Sequence, residues 1–368
     1  VSSTKISCAI VGCGNISETY IKNLLRFPII DLKYCSDLIP DKANEKAEKF
    51  NLIPKPYNEI LQDESINLVI NLTNPSSHFE VSMRAIESGK HIYSEKPLAL
   101  NFSEAQLLVE KAKQNNVAIG CAPDTFLGSS WQTAKKIITG GWIGKLISAT
   151  AFMLCSGHES WHPSPEFYYK AGGGPLFDMG PYYLTVLVFL LGPIKEVVGY
   201  GKKSYEKRLI TSKERFGDVI EVEVLTYITA LLKFHNNVIC TMIMSFDTLG
   251  HNLPYIEIYG ETGTLSLPDP NCFSGKIQYY NKYAKKWWEF PSYYDIFENF
   301  RGIGIAEMVE GIARNRKFRT SGEIGFHIVE VMEKIIKSAE ENKPYTIETN
   351  CEPPELMSES DYPIIIPV

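Results

Sequence analysis

The chain has 368 residues, of which 44% are hydrophobic and 22% charged, and a formal net charge of −6. Its length suits about two domains with cores of their own, and its composition is that of an ordinary globular protein. The acidic balance argues against a general nucleic-acid binder, which would carry a basic face.

The first third reads as alternating strands and helices. Residues 5–11 form an apolar strand that runs into the glycine turn Gly12-Cys13-Gly14-Asn15-Ile16-Ser17, and a helix follows over 16–25. A second strand, 32–36, closes on Asp37, and 41–50 predicts a helix with Asp41 as its N-cap. Residues 67–72 read as a buried strand ending in Thr73-Asn74-Pro75; Ser76 can cap a helix to residue 88, with Gly89 at its C′ position. The strand at 91–94 leads directly into Glu95-Lys96-Pro97. Asn101 or Ser103 opens a further helix, and 117–121 is the next strand. Repeated β-α-β units imply a doubly wound parallel sheet with right-handed crossovers.

After Pro123 the pattern changes. A helix over 131–138 and a strand over 146–154 precede Gly172-Gly173-Gly174-Pro175, which opens a helix to about 191. Long strands are expected at 194–200, 222–234, 238–246 and 255–259, with tight turns at 235–237 and 261–264, which together read as an antiparallel sheet. Helices return at 303–314 and 323–341, and the proline-rich tail from 352 reads as extended.

Several positions carry chemistry. In the turn G-x-G-x-x-S, Gly12 permits a tight bend and Gly14 lets the backbone approach a pyrophosphate at a helix N-terminus, with Asn15 and Ile16 opening that helix. Asp37 ends the second strand, where an acidic residue holds a ribose 2′-hydroxyl, and no arginine follows it at once, so NAD is favoured over NADP. Thr73, Asn74, Pro75 and His78 lie at the end of the next strand, within reach of a ribose or the nicotinamide. Lys96 sits at a strand's carboxyl end with its backbone restricted by Pro97, which places its ammonium for chemistry on a substrate hydroxyl. Asp178 and Tyr182 are four residues apart, hence on one helix face. His158, Glu159, Trp161 and His162 lie on a proline-flanked loop whose spacing does not suit a metal site; Trp161 is expected over the cofactor or a sugar face. The eight cysteines contain no C-x-x-C pair and read as free thiols of a reducing compartment. The longest apolar run, 184–191, is far short of a membrane span, so a soluble cytoplasmic protein with no membrane partner is expected.

The order of GCGNIS, Asp37, TNPSSH, GKHIYSEKPLA and WHPSPEFYYKAGGGPLFDMGPYYL resembles the Gfo/Idh/MocA oxidoreductases, a group that includes glucose–fructose oxidoreductase and inositol dehydrogenase. The likeness covers nearly the whole chain, through RGIGIAEMVEGIARN. It implies an α/β Rossmann domain over 1–122 that binds NAD. It also implies an α+β domain over 123–368 with a large, mostly antiparallel open sheet, which commonly builds homodimers, homotetramers or higher homo-oligomers. The activity implied is hydride transfer between a ring CH–OH of a sugar, glycoside or polyol such as a cyclitol and nicotinamide. Lys96 falls on the family's catalytic lysine and Asp178 on its aspartate, whereas Tyr182 stands where the family has histidine, Thr185 where it has a later aspartate, and Trp161-His162 where a Trp-Arg pair is common. Tyr182, His162 or His158 is left to take the proton. Substrate contacts are expected from Lys96, Asp124, His158, Trp161, His162, Asp178 and Tyr182, cofactor contacts also from Glu95, and no metal is expected. The tyrosine-bearing pattern is similar to enzymes that oxidise C3 of glucosides; an NAD-dependent glycosidase with a transient 3-keto intermediate and a non-catalytic NAD-binding regulator are the alternatives.

Overall fold

The computed structural model describes residues 5–358. The chain divides into two compact units. The first takes the chain to Gly128, then Ile296–Val329 and the stretch from Pro354; the second takes Ser129–Asp295 and Glu330–Pro353. This interleaved division differs from the linear one at residue 122, because late helices pack back on the first unit.

In the first unit, β1 (Ile6–Val11), α1 (Asn15–Leu24), β2 (Ile30–Ser36), α2 (Pro40–Phe50), β3 (Ile53–Pro54), α3 (Tyr57–Gln62), β4 (Leu68–Asn71), α4 (His78–Glu87), β5 (His91–Ser94), α5 (Phe102–Gln114) and β6 (Ile119–Cys121) alternate along the chain. The strands form one sheet in the order β3-β2-β1-β4-β5-β6, all pairings parallel. β4 is buried along its whole length, as a central parallel strand should be. Asn101 caps α5 by accepting from the Glu104 N–H at 2.9 Å. Asp41 is not an N-cap: α2 begins at Pro40, with Ile39 in the cap position.

The second unit contains α6 (Ser129–Thr139), β7 (Leu146–Leu154), α7 (Gly174–Leu191), β8 (Ile194–Lys202), β9 (Lys207–Leu209), β10 (Val219–Glu221), β11 (Tyr227–Phe234), β12 (Ile239–Ser245), β13 (Ile256–Gly260), β14 (Gly263–Leu267), β15 (Ile277–Asn281) and β16 (Lys286–Phe290). With β17 (Tyr345–Thr346), they build a nine-stranded sheet in the order β16-β15-β14-β13-β7-β12-β11-β8-β17, antiparallel except for β7 with β12. β9 and β10 make a separate two-stranded ribbon. The single strand expected over 222–234 is therefore broken: Val222 N–H donates to Glu206 on the ribbon side, and Thr226 N–H donates to Lys202 where β11 begins. The turn at 235–237 forms as expected, with Asn237 left-handed at φ 67° and Phe234 N–H donating to Val238. α7 has a mean hydropathy of 1.3 and is long enough to span a membrane, but 83% of it is buried inside the fold. It packs on β7, β11 and β12 as the core helix of this unit.

α8 (Ile303–Ala313) belongs to the first unit, as does α9 (Gly322–Glu341) up to Val329. The segment between them extends the sheet edge: Cys121 N–H donates to Thr320 at 2.9 Å, and Gly120 bridges Ser321.

Candidate functional site

In the first unit, the expected cofactor residues gather at the carboxyl ends of β1, β2, β4 and β5. The strand order reverses between β1 and β4, which is where open parallel sheets bind ligands. Gly12 has φ +101°, and a Cβ there would lie 2.6 Å from the Leu72 carbonyl group and 2.7 Å from Thr73 N, so only glycine fits. Gly14 is exposed, and a Cβ on it would meet nothing within 4 Å. It is the N-cap of α1 and supplies no side-chain cap, so the helix start, with Asn15 exposed and Ile16 half-buried, keeps the N–H groups of these two residues open to an anion, while the Ser17 N–H donates to the Gly14 carbonyl at 3.1 Å. Ser17, which replaces a third glycine, is buried and ties the turn by donating its hydroxyl to the Gly14 carbonyl at 2.6 Å.

Asp37 is half-buried beside this turn. Its carboxylate accepts from Cys13 N–H at 2.7 Å and Ile39 N–H at 2.9 Å, which fixes it while leaving lone pairs for a ribose hydroxyl. The next residue, Leu38, is 98% exposed and apolar, and offers nothing to a 2′-phosphate. These residues fit a bound NAD.

Lys96 follows β5 and is half-buried, and its peptide bond to Pro97 is cis. Glu95 holds this segment: one carboxylate oxygen accepts from the Tyr20 hydroxyl at 2.6 Å, the other from the Lys96 N–H at 2.8 Å. Tyr20 is fully buried, and that burial, followed by the charge of Glu95, pushes its pKa well up, so the phenol stays a donor. No sequence pattern pointed to Tyr20. Thr73 accepts its place from Asn71, whose side-chain oxygen receives the Thr73 hydroxyl at 2.6 Å and N–H at 3.2 Å; Asn74 and Pro75 form the exposed and half-exposed start of the short turn that follows.

Two residues of this unit depart from expectation. His78 is fully buried, and its ring nitrogens lie 2.7 Å from the Pro97 carbonyl and 2.9 Å from the Thr73 carbonyl. It has no surface for a cofactor; it braces the Thr73 turn against the Lys96-Pro97 segment. Burial pushes its pKa down, while the two carbonyls pull the other way. Asp124, expected on the substrate, is 1% exposed, and its carboxylate accepts from Gly302 N–H at 2.8 Å and Gly304 N–H at 3.0 Å. It caps the start of α8, and burial pushes its pKa up to about 6 against those hydrogen bonds.

In the second unit, the glycine run before α7 is dictated by packing. Gly172 and Gly174 are left-handed, and a Cβ on Gly173 would lie 2.4 Å from the Phe167 carbonyl oxygen. The loop is thereby pressed under the start of the helix that carries Asp178 and Tyr182. Tyr182 is 7% exposed and Asp178 half-buried. His158 brings its Nε2 to 3.7 Å from Asp178 Oδ2. Its ring is boxed by Tyr168 at 4.1 Å, Phe246 at 4.6 Å and Trp161 at 5.4 Å between centroids. Trp161 is 61% exposed and free to stack on a ligand face. His162 spends its Nδ1 accepting from Ser164 N–H at 3.0 Å, and burial lowers its pKa.

The loop is anchored by a group that sequence reasoning missed. Arg208 of β9 pairs with Glu159 at 2.7 Å and with Asp247, and also donates to the carbonyls of Ser156 and Phe246 at 3.1 and 2.8 Å. Glu159 and Asp247 are largely buried, so the guanidinium fixes the residue next to His158 through charge-assisted, low-exposure contacts. Nothing near Arg208 in the sequence marks it out; only the ribbon topology does.

Comparison with known proteins shows the family and the fold. Residues 6–122 match the model of an oxidoreductase family with an NAD-binding Rossmann fold, and residues 131–266 match the GFO/IDH/MocA C-terminal domain. The chain is 26% identical over 277 residues to oxidoreductase P35 of Formosa agariphila, covering 72% of this chain and 79% of that protein. It is 31% identical over 231 residues to the scyllo-inositol 2-dehydrogenase (NAD(+)) of Bacillus subtilis, covering 61% and 64%. The solved structure of levoglucosan dehydrogenase with NADH and L-sorbose superposes with a TM-score of 0.81 over 94% of this chain and 100% of that one, at 19% identity, a likeness of fold.

Proposed function

Because this chain belongs to the Gfo/Idh/MocA oxidoreductase family, we propose that it oxidises a ring CH–OH of a sugar, glycoside or cyclitol with NAD. The observation that carries the reading is the cradle at β1 and β2: an open helix start beside Gly14, and Asp37 held for a ribose. NAD bound there would supply a two-electron acceptor. Lys96, fixed through Glu95, contributes a positive charge to the substrate oxygen as its proton leaves. Asp178 and Trp161 orient the substrate, the one as a hydrogen-bond acceptor and the other as a stacking face. The names of the inositol and levoglucosan dehydrogenases support a cyclic polyol or sugar substrate. Within that class we favour C3 of a glucoside, on the Tyr182 pattern, in a cytoplasmic enzyme whose eight cysteines are all free thiols.

Self-association through the second unit's sheet belongs to the same reading. Leu231 and Ile239 are each about half exposed, at 49%, on the neighbouring strands β11 and β12, on the face away from the buried Cys240 and Met242. Replacing Leu231 with glutamate is expected to shift the sedimentation of the protein to a smaller species.

The test is purified protein with NAD or NADP and a panel of glycosides and cyclitols, followed by absorbance of reduced nicotinamide and by mass spectrometry of products. Reduced nicotinamide with a stoichiometric keto product supports the dehydrogenase. Released aglycone with no net reduction would move the reading to a glycosidase, and no product from any member of the panel would sink it.

A further inference from the structure

We propose that His158, oriented by Asp178, is the group that takes the hydroxyl proton during this oxidation. The inference rests on the dehydrogenase reading and adds the acceptor, which the family pattern leaves without its histidine at Tyr182.

Two observations carry it. His158 Nε2 is buried and has no hydrogen-bond partner. Its nearest ionic group is Asp178, at 3.7 Å. That distance is too long for a hydrogen bond, yet catalytic contacts are commonly loose before substrate binds and tighten on binding. A buried ring nitrogen without a partner is costly to the fold, a penalty that asks for a functional reason. A carboxylate on one ring nitrogen fixes the tautomer and leaves the other nitrogen basic.

The ring is also held still. Tyr168, Phe246 and Trp161 box it, the Tyr169 hydroxyl lies 3.4 Å from the His158 N–H, and Arg208 locks the neighbouring Glu159. The ionisable groups around it are Asp178 on α7, Tyr168, Tyr169 and His162 on its own loop, Cys155 at the loop's start, and the Glu159–Arg208–Asp247 cluster.

His162 is excluded by its own hydrogen bond. With Nδ1 accepting from Ser164, a neutral ring carries its proton on Nε2 and has no lone pair left to offer. As for a tyrosine, a phenol is a weak acceptor well below its ordinary pKa of about 10. In the balanced step the ring carbon gives its hydrogen and two electrons to NAD. The hydroxyl O–H bond breaks, the carbon–oxygen bond becomes a carbonyl, and the proton goes to Nδ1 of His158, the nitrogen across the ring from the one that faces Asp178.

Two measurements test this, one of which needs no turnover. The ring-nitrogen chemical shifts of His158, followed by NMR in the wild type and in Asp178→Asn, are expected to report one tautomer with its proton on Nε2 in the wild type and a mixture of tautomers once the carboxylate is removed. Unchanged ring shifts would overturn the pairing whether or not the substrate reading holds. Against a working substrate, His158→Gln is expected to lower kcat by about 10²–10⁴-fold and to abolish the acidic limb of kcat/KM. It should leave the NAD dissociation constant, read by fluorescence, unchanged. Tyr182→Phe is expected to keep that limb. A His158→Gln enzyme with the wild-type limb and rate, alongside a Tyr182→Phe enzyme that has lost both, would assign the role to Tyr182 instead.

Discussion

Gly12 and Gly14 stand two residues apart in one turn, and the structure predicts opposite consequences for the same substitution. In Gly12→Ala the new methyl would sit 2.6 Å from the Leu72 carbonyl group at φ +101°. A strained backbone of this kind costs about 1–3 kcal/mol, and an extra carbon in a packed site about 1–3 more. A loss of about 2–6 kcal/mol is a large part of a typical 5–15 kcal/mol fold stability, so the urea midpoint should drop sharply. In Gly14→Ala the methyl meets nothing within 4 Å, and φ is −73°, which alanine adopts freely. Stability should hold or rise by about 0.4–1 kcal/mol. NAD affinity should nonetheless weaken by at least about tenfold, or 1.4 kcal/mol, because on the proposed reading the methyl would stand where a pyrophosphate meets the start of α1. Urea unfolding and fluorescence titration with NAD on both variants separate the two effects. A Gly14→Ala protein that binds NAD like the wild type would refute the cradle, and a Gly12→Ala protein of wild-type stability would refute the packing argument.

Other consequences are equally direct. Arg208→Met leaves the buried carboxylates of Glu159 and Asp247 unpaired and should cost about 3–5 kcal/mol in urea unfolding, with activity falling as the His158 loop loosens; a cost under about 1 kcal/mol would show the clamp to be incidental. Asp124 has its pKa raised in the fold to about 6 from 3.8, so the folded state holds its proton longer than the unfolded chain. Its contribution is therefore full below about pH 4 and is lost as pH rises through 6, a swing on the order of 2–3 kcal/mol. Asp124→Asn, whose amide oxygen can still accept from the α8 backbone, should remove that part of the pH dependence; identical slopes in mutant and wild type between pH 4 and 7 would contradict it. His78→Asn is too short to reach both the Thr73 and Pro97 carbonyls, so KM for NAD should rise and kcat fall together, and unchanged kinetics would show that the brace positions neither.

Much of the first unit was legible because parallel strands are apolar runs and each ends in a turn with its own chemistry. The strand at 91–94, the Asn101 cap and the glycine turn could all be read locally. What escaped depended on distant partners. His78 looked like a cofactor residue because it follows the Thr73 turn; only the fold shows the Pro97 carbonyl occupying its other nitrogen. Asp124 was read as substrate-facing because the N–H groups it caps lie almost two hundred positions later, at Gly302 and Gly304. Strand β16 was missed because its alternation is weak: it is Lys-Trp-Trp-Glu-Phe, exposed at four of five positions on a sheet edge, whereas β14, Gly-Thr-Leu-Ser-Leu, alternates between buried and half-buried positions and was legible but not read. Arg208 could not be read at all, since its two carboxylate partners come from separate loops.

The most direct test of the central claim follows the hydrogen itself. Glucosides and cyclitols carrying deuterium at single ring carbons are incubated with the protein and NAD, and the nicotinamide is examined by mass spectrometry. The account predicts that deuterium from one ring CH–OH position, C3 for a glucoside, appears in the reduced cofactor together with the ketone at that carbon. Reduced cofactor without label from any ring position, or no reduced cofactor with any member of the set, would contradict it.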